Sequence, residues 1–268
     1  MEVAALLPVV KAVTLQRQLA QVLNVSIDVI TWDDALSQIN TWAMNHESRY
    51  VCICNVHSVV TASQDDEFGR VVREADMVTP DGAPVAWMMR RLGYIHQQRI
   101  NGPDLMWKYC EQVQSRSESV FFYGNTEETL GILKTKLLEA FPRLKIAGAI
   151  SPPFRKLTAD EDDAIIAQIN ASGAGSVWVS LGCPKQEIWM NAHRGRINAV
   201  MVGVGAAFDY HAGTIKRAPK WMQEIGLEWF FRLMVDPRRL WRRYLVTNIF
   251  FIYYATRQLL KIKNTKPD

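Results

Sequence analysis

Residues 176–204 read SVWVSLGCPKQEIWMNAHRGRINAVMVGV. Two short valine-rich runs, 176–181 and 199–204, enclose a turn at Gly182, Cys183 and Pro184 and a helical pattern over 185–194. Apolar runs of this length bounded by turn residues read as strands buried on both faces. A strand, a helix and a second strand in so short a span form a βαβ unit, and its strands lie parallel.

The same alternation extends outward. Strand-like runs occur at 25–30, 50–54, 77–79, 120–123 and 144–150. Between them lie helical patterns at 33–45 with Asp33 as cap, 58–75, 83–92, 104–113, 126–141 and 160–170. The pattern predicts an α/β fold: a Rossmann-like, largely parallel sheet with helices on both faces. Ligands in such sheets bind beyond the carboxyl ends of the strands. That rule directs attention to Asn55, Asp81, Gly124, Asn125, and residues 182–186 and 203–209. After Gly213 the alternation stops, and from Trp221 the chain is helical, aromatic and basic. Residues 1–212 are therefore expected to form the α/β domain and 213–268 a helical appendage.

Bulk composition agrees with a globular protein. Of 268 residues, 49% are hydrophobic and 22% charged, enough apolar material for a sizeable core. The opening MEVAALLPVV carries an acidic residue, no basic region and a proline, which makes it a poor secretory signal. No stretch reaches the ~18 uncharged apolar residues that span a bilayer. The net charge of +4 conceals an asymmetry: residues 213–268 hold 12 Lys/Arg against 4 Asp/Glu, while residues 1–212 hold 19 against 23. A basic tail on a mildly acidic body predicts an anionic partner for the tail. The four cysteines show no paired zinc spacing and read as buried free thiols of a reducing cytoplasm, with Cys52 and Cys54 on one face of a strand.

Several short stretches can carry chemistry. In TPDGAP (79–84) a carboxylate stands at a strand end between proline and glycine, a position suited to a general base. Pro-Asp-Gly is also ordinary turn chemistry, and on this stretch alone the turn is the stronger reading. In NVHS (55–58) Asn55 ends a buried strand and can bind a sugar hydroxyl or orient the aspartate, while His57 reads best as a first-turn helical residue. In RINGPDL (99–105) Arg99 can bind phosphate through its planar fork, and Asp104 reads as a helix N-cap. Gly124 and Asn125 lead from a strand into a helix, where backbone N–H groups can hold a phosphate or ribose. After Gly182, Gln186 can face the cleft, whereas Glu187 suits the helix N-terminus through the dipole. Gly203 and Gly205 permit close backbone approach, and Asp209 follows them. Neither G-x-G-x-x-G nor G-x-x-x-x-G-K-[ST] is present, and no D-x-D ends a strand.

In their order along the chain, LGCPKQEIWM, GVGAAFDYHAGTIKRAPKWMQEIGLEWFFRL and PRRLWRRYL resemble the WecG/TagA/CpsF glycosyltransferases, glycosyltransferase family 26, over about residues 25–255. The resemblance implies transfer of a sugar from a UDP-sugar to a polyprenyl-diphosphate-linked saccharide in bacterial cell-surface polysaccharide synthesis. It implies inversion at the anomeric carbon, no metal and no cofactor. Asp81 then matches the base, Asn55 an active-site neighbour, and Arg99 and Gln186 cleft residues. Gly124, Asn125, Gly182, Gly205 and Asp209 complete the expected substrate site. Ile53 departs from the family's usual threonine. The NVHS stretch is similar to exopolysaccharide members, which implies a hexose such as glucose. No oligomeric state and no nucleic-acid partner are implied.

The tail acquires a role from the same resemblance. Arg217, Arg232, Arg238, Arg239, Arg242 and Arg243 are expected to face the acceptor or an anionic membrane surface. Leu240, Trp241, Tyr244, Leu245, Phe250 and Phe251 are expected to dip into the headgroup boundary. That makes the protein peripheral to the cytoplasmic face of the bacterial inner membrane. The residues taken alone also permit a rival reading: a non-enzymatic domain that binds a nucleotide or nucleic acid and uses the basic tail as an anchor.

Overall fold

A computed structural model describes residues 17–265. The expectation about the opening ten residues lies outside them. The described chain begins with a hairpin, β1 (Leu19–Val22) against β2 (Val25–Asp28). Leu23 and Asn24 both take positive φ (51° and 66°), the geometry of a two-residue turn whose twist matches the strands it joins. The sequence reading missed β1 because so short a strand needs its partner to be recognised. The buried carboxylate of Asp28 accepts from the N–H of Val78 at 2.6 Å and pairs with Arg17 at 2.6 Å, fastening the hairpin to the main sheet.

Helix α1 (Trp32–Met44) is capped by Thr31, whose hydroxyl accepts from Asp34 N–H; Asp33 lies inside the first turn rather than capping it. Strand β3 (Arg49–Cys54) follows. The helix expected over 58–75 is two helices, α2 (Val56–Gln64) and α3 (Asp66–Arg73). They break at Asp65, which is extended and caps α3 through Phe68 N–H. Next come β4 (Met77–Pro80), α4 (Ala83–Arg91) and α5 (Gly102–Val113). The N-cap of α5 is Asn101, and Asp104 sits one turn inside as the donor of the capped N–H. Then follow β5 (Ser119–Gly124), α6 (Glu127–Ala140), β6 (Lys145–Ile150), α7 (Ala159–Ala171), β7 (Ser176–Ser180), α8 (Lys185–His193), β8 (Val200–Gly203) and α9 (Ala207–Ala212).

The six strands β3–β8 form one parallel sheet in the order β4-β3-β8-β7-β5-β6. Their side chains alternate between two cores. In β3, Tyr50, Cys52 and Cys54 enter one and Val51 and Ile53 the other. All four cysteines are free. Because every strand runs the same way, the segments after β3, β4, β5, β7 and β8 emerge at one edge and carry Asn55, Asp81, Asn125, Gly182 and Gly205 there.

Three helices follow Gly213: α10 (Lys220–Glu224), α11 (Glu228–Val235) and α12 (Pro237–Thr265). Helix α12 packs along α2 and buries Phe251 and Ala255 in the core that holds Val59 and Val60. Gln258 ties its distal half to the hairpin, accepting from Leu23 N–H at 3.0 Å and donating to Gln21 C=O at 2.6 Å. Phe251, expected at a lipid headgroup boundary, is therefore a core residue, as is Leu240. Trp241, Leu245, Ile249 and Tyr253 do face outward. Among the described residues no helix is long and apolar enough to cross a membrane.

Candidate active site

A cleft of about 2020 Å³ opens over the carboxyl edge of the sheet, roofed on one side by α11 and α12. Asp81 sits in it directly after β4. Its N–H donates to Cys54 C=O at 2.9 Å, continuing the β3–β4 ladder one step past Pro80 and fixing where the carboxylate emerges. Only 24% of its side chain is exposed. Burial raises its pKa to about 6, and the nearby Glu228 carboxylate adds to the rise while Arg99 opposes it. A carboxylate in that range is ionised at neutral pH yet basic enough to take a proton.

Arg99 lies beside Asp81 because the N–H of Ile100 donates to Pro80 C=O at 2.9 Å. Its Nε is 4.0 Å from Asp81 Oδ1, and its Nη2 donates to Glu228 Oε2 at 2.9 Å. Glu228 belongs to α11, so the helices after Gly213 help to build the site. The sequence offered one signal for this residue, its place among the three acidic groups (Asp209, Glu224 and Glu228) of the long Gly-to-Leu motif.

Asn55 caps α2. Its Oδ1 accepts from His57 N–H at 3.0 Å and Ser58 N–H at 3.2 Å, leaving Nδ2 as the group it can offer a ligand. His57 is in the first helical turn as expected, but its ring also lines the cleft. Burial, helped by Arg243, lowers its pKa to about 4, so the imidazole is neutral. Ile53 lines the cleft as well, where a hydroxyl-bearing residue would have offered a hydrogen bond.

Gln186 is buried at the cleft wall with both polar ends occupied. Its Oε1 accepts from Gly205 N–H at 3.0 Å and its Nε2 donates to Glu187 Oε1 at 2.9 Å. Gly203 makes room for it, since a Cβ there would come within 3.0 Å of Gln186 Nε2 and 2.7 Å of Met190 Cε. Gln186 thus holds the Gly205 turn in position. Glu187 stands in the first turn of α8 as expected, but it is also fully buried, and burial raises its pKa.

Asn125, Gly182, Gly205 and Asp209 all line the cleft. Asp209 accepts from the Thr214 hydroxyl at 3.3 Å. Gly124 does not reach the cleft. It is buried where β5 meets β7, and a Cβ would come within 2.5 Å of Ser180 C=O, so its role is close strand approach.

The six arginines of the tail separate into three groups. Arg217, expected at the acceptor, is held by Asp104 Oδ1 at 2.6 Å and Asn101 Oδ1 at 3.3 Å and is absent from the cleft wall. It joins the α5 N-terminus to the helices that follow. Arg232, Arg239 and Arg243 line the cleft. Arg232 lies 5.8 Å from the centre of the Tyr210 ring, and Arg243 Nε is buried with no protein partner among the described residues. Arg239, at the cleft rim, is 65% exposed and pairs with Asp236 at 3.0 Å, while Arg238 and Arg242 point to solvent away from the cleft. Trp229 and Tyr244 also line this wall, ring centroids 5.9 Å apart. Among the described residues no three His, Cys, Asp or Glu side chains converge as a metal site.

The Glycosyl transferase WecG/TagA/CpsF family model matches residues 20–265. An N-acetylglucosaminyldiphosphoundecaprenol N-acetyl-beta-D-mannosaminyltransferase of Bacillus spizizenii (strain W23) is 31% identical over 206 residues, 76% of this chain and 78% of that protein. A protein of the same name from Bacillus subtilis (strain 168) is 30% identical over 213 residues, 79% of each chain.

Proposed function

Because the chain belongs to the WecG/TagA/CpsF family of glycosyl transferases, we propose that it moves a hexose-type sugar from a UDP-sugar to a polyprenyl-diphosphate-linked saccharide, with inversion and without a metal. Membership in a family of enzymes also displaces the non-enzymatic rival. The relatives' names specify a diphosphoundecaprenol-linked acceptor, and the acceptor class proposed here follows them.

In the proposed step Asp81 takes the proton of the acceptor hydroxyl as that oxygen attacks the anomeric carbon. The new C–O bond forms on the face opposite the leaving group, so the configuration inverts in one displacement. The bond from the anomeric carbon to the UDP oxygen breaks, and its electron pair leaves on the diphosphate. Arg99, Arg232, Arg239 and Arg243 offer fixed positive charge to that leaving group. Asn55 Nδ2 is available to a sugar hydroxyl, and Asn125, Gly182, Gly205 and Asp209 bound the donor region. The observation that carries this reading is the pairing on one cleft of a carboxylate with pKa about 6 and a wall of arginines from α11 and α12.

Arg238 and Arg242, together with the outward row Trp241, Leu245 and Ile249, support a peripheral contact with an anionic membrane surface. In the proposed setting this is the cytoplasmic face of the bacterial inner membrane, where the lipid-linked acceptor is available. The test is a screen of UDP-glucose, UDP-N-acetylglucosamine, UDP-N-acetylmannosamine and its uronic acid against a short-chain polyprenyl-diphosphate-saccharide, with excess EDTA throughout. Transfer of one sugar with inverted anomeric configuration is expected. Transfer that requires added Mg²⁺ or Mn²⁺, or retention in the product, would overturn the mechanism.

A further inference from the structure

Glu187 is fully buried in the first turn of α8, yet it does not line the cleft. Its Oε1 accepts from Gln186 Nε2 at 2.9 Å, and its Oε2 has no hydrogen-bond partner among the described residues. Its titratable neighbours include the thiols of Cys52, Cys54 and Cys183. A carboxyl group set among such weakly polar neighbours costs stability, and an apolar side chain of the same size would not. The bond to Gln186 is what an apolar residue could not supply.

That bond decides how the Gln186 amide lies. The two ends of a primary amide have nearly the same shape but opposite hydrogen-bonding roles. An acceptor oxygen beside the amide takes only the NH₂ end, which leaves Oε1 to face Gly205 N–H, where it accepts at 3.0 Å. Turned over, the amide would set a donor against a donor. Gly205 depends on this choice. It follows β8 with a φ of 56°, and side chains meet both of its backbone groups: Gln186 Oε1 takes the N–H, and Ser180 Oγ donates to the C=O at 2.7 Å. Gln186 N–H also donates to Gly182 C=O at 2.9 Å, so one residue bridges the two glycine turns that line the cleft after β7 and β8.

We infer that Glu187 is a positioning residue for the donor site: by accepting from Gln186 Nε2 it fixes the amide orientation that holds the Gly205 turn at the cleft. The inference rests on the UDP-sugar reading proposed above and adds a residue that touches no substrate. Glu187 acts only through Gln186, and the chain of hydrogen bonds crosses from α8 to the segment after β8. Removing the acceptor frees the amide to turn and loosens Gly205, while the ladder bonds beside it remain.

Two readouts on the full chain separate positioning from simple packing. Amide hydrogen exchange at Gly205 reports the bond to Gln186, and Val204, whose N–H donates to Val179 C=O at 2.9 Å, is the internal reference. Steady-state kinetics set the donor KM against kcat. Glu187→Met keeps the length of the side chain and removes the acceptor. Gly205 exchange should quicken at least ~5-fold against Val204, and the donor KM should rise by a similar factor with kcat within ~2-fold of the parent. Gln186→Glu sets two carboxyl groups together and should do the same. Combining Gln186→Glu with Glu187→Gln restores a donor opposite an acceptor at both contacts and should return both readouts to within ~2-fold of the parent. If Glu187→Met does not fold, this swap decides alone. Unchanged Gly205 exchange in Glu187→Met, or a swap no better than Gln186→Glu, overturns the inference. So does a quickened Gly205 with an unchanged donor KM. If Gly205 responds as expected but the parent transfers no sugar from any UDP-sugar, the proposed reaction fails while the hydrogen-bonded chain stands.

Discussion

Arg99 Nη2 lies 2.9 Å from Glu228 Oε2, a contact between the segment that joins α4 to α5 and the first turn of α11. The contact joins the α/β body to α11 within reach of Asp81. Glu228 raises the Asp81 pKa and Arg99 lowers it. Glu228→Gln removes one negative charge and frees Arg99 to turn towards Asp81. Both changes favour the ionised carboxylate, so the Asp81 pKa should fall below about 6. In the parent, kcat/KM should rise with pH and level off above about 6. In Glu228→Gln that acid limb should move to lower pH. An unmoved limb would mean that Glu228 does not influence the base.

Asp81→Asn retains the shape of the side chain and loses its basicity. Turnover should fall at least ~10²-fold with UDP affinity nearly unchanged. Steady-state kinetics and UDP calorimetry on the same preparation check this. Near-parental turnover would remove Asp81 from the proton transfer.

The same substitution should stabilise the fold. A carboxyl whose folded pKa is raised contributes stability below its ordinary pKa of 3.8 and loses it as pH rises through about 6. At neutral pH the ionised, half-enclosed Asp81 therefore destabilises the protein, by up to about 3 kcal/mol if the whole shift arises on folding. Asp81→Asn should unfold at a higher denaturant concentration than the parent at neutral pH. The difference should shrink below pH about 5, where Asp81 is protonated. A variant less stable than the parent at neutral pH would count against the burial of this charge.

The cleft-facing and solvent-facing arginines of α12 should separate in function. Arg238 and Arg242 are exposed, and replacing both by Gln should weaken binding to anionic vesicles by up to ~2 kcal/mol while leaving turnover on a water-soluble diphosphate acceptor intact. Replacing Arg239 and Arg243, which line the cleft, should lower turnover on that soluble acceptor more than it weakens vesicle binding. Vesicle flotation and kinetics on the two double variants decide it. Equal effects in both assays would show that the helix does not divide its charge in this way.

Much of the fold is legible in local patterns. The runs at 50–54, 120–123, 176–181 and 199–204 are apolar on both faces because both faces of a parallel strand are covered. That pattern announces βαβ units without any partner in view. It also locates Asn55, Asp81, Asn125, Gly182 and Gly205, since strand direction alone sends each strand's carboxyl end to one edge. What it misses is short or divided. Strand β1 is recognisable only from its pairing with β2, and the break between α2 and α3 depends on Asp65 choosing to cap a new helix.

The residue types along the chain determined the parallel sheet, the edge at which its loops gather and the basic, aromatic character of the last helices. Those properties follow from periodicity and charge, which are local. Only the tertiary structure decided which arginines meet the cleft: Arg243 does so, Arg242 does not, and Arg217 is held by Asp104 instead. Neighbouring residues on a helix point ~100° apart, so the rotation of α12 against α2 selects among side chains that are chemically the same in the sequence. That rotation is set by the burial of Phe251 and Ala255 against residues nearly two hundred positions away, a long-range packing choice with no local signature.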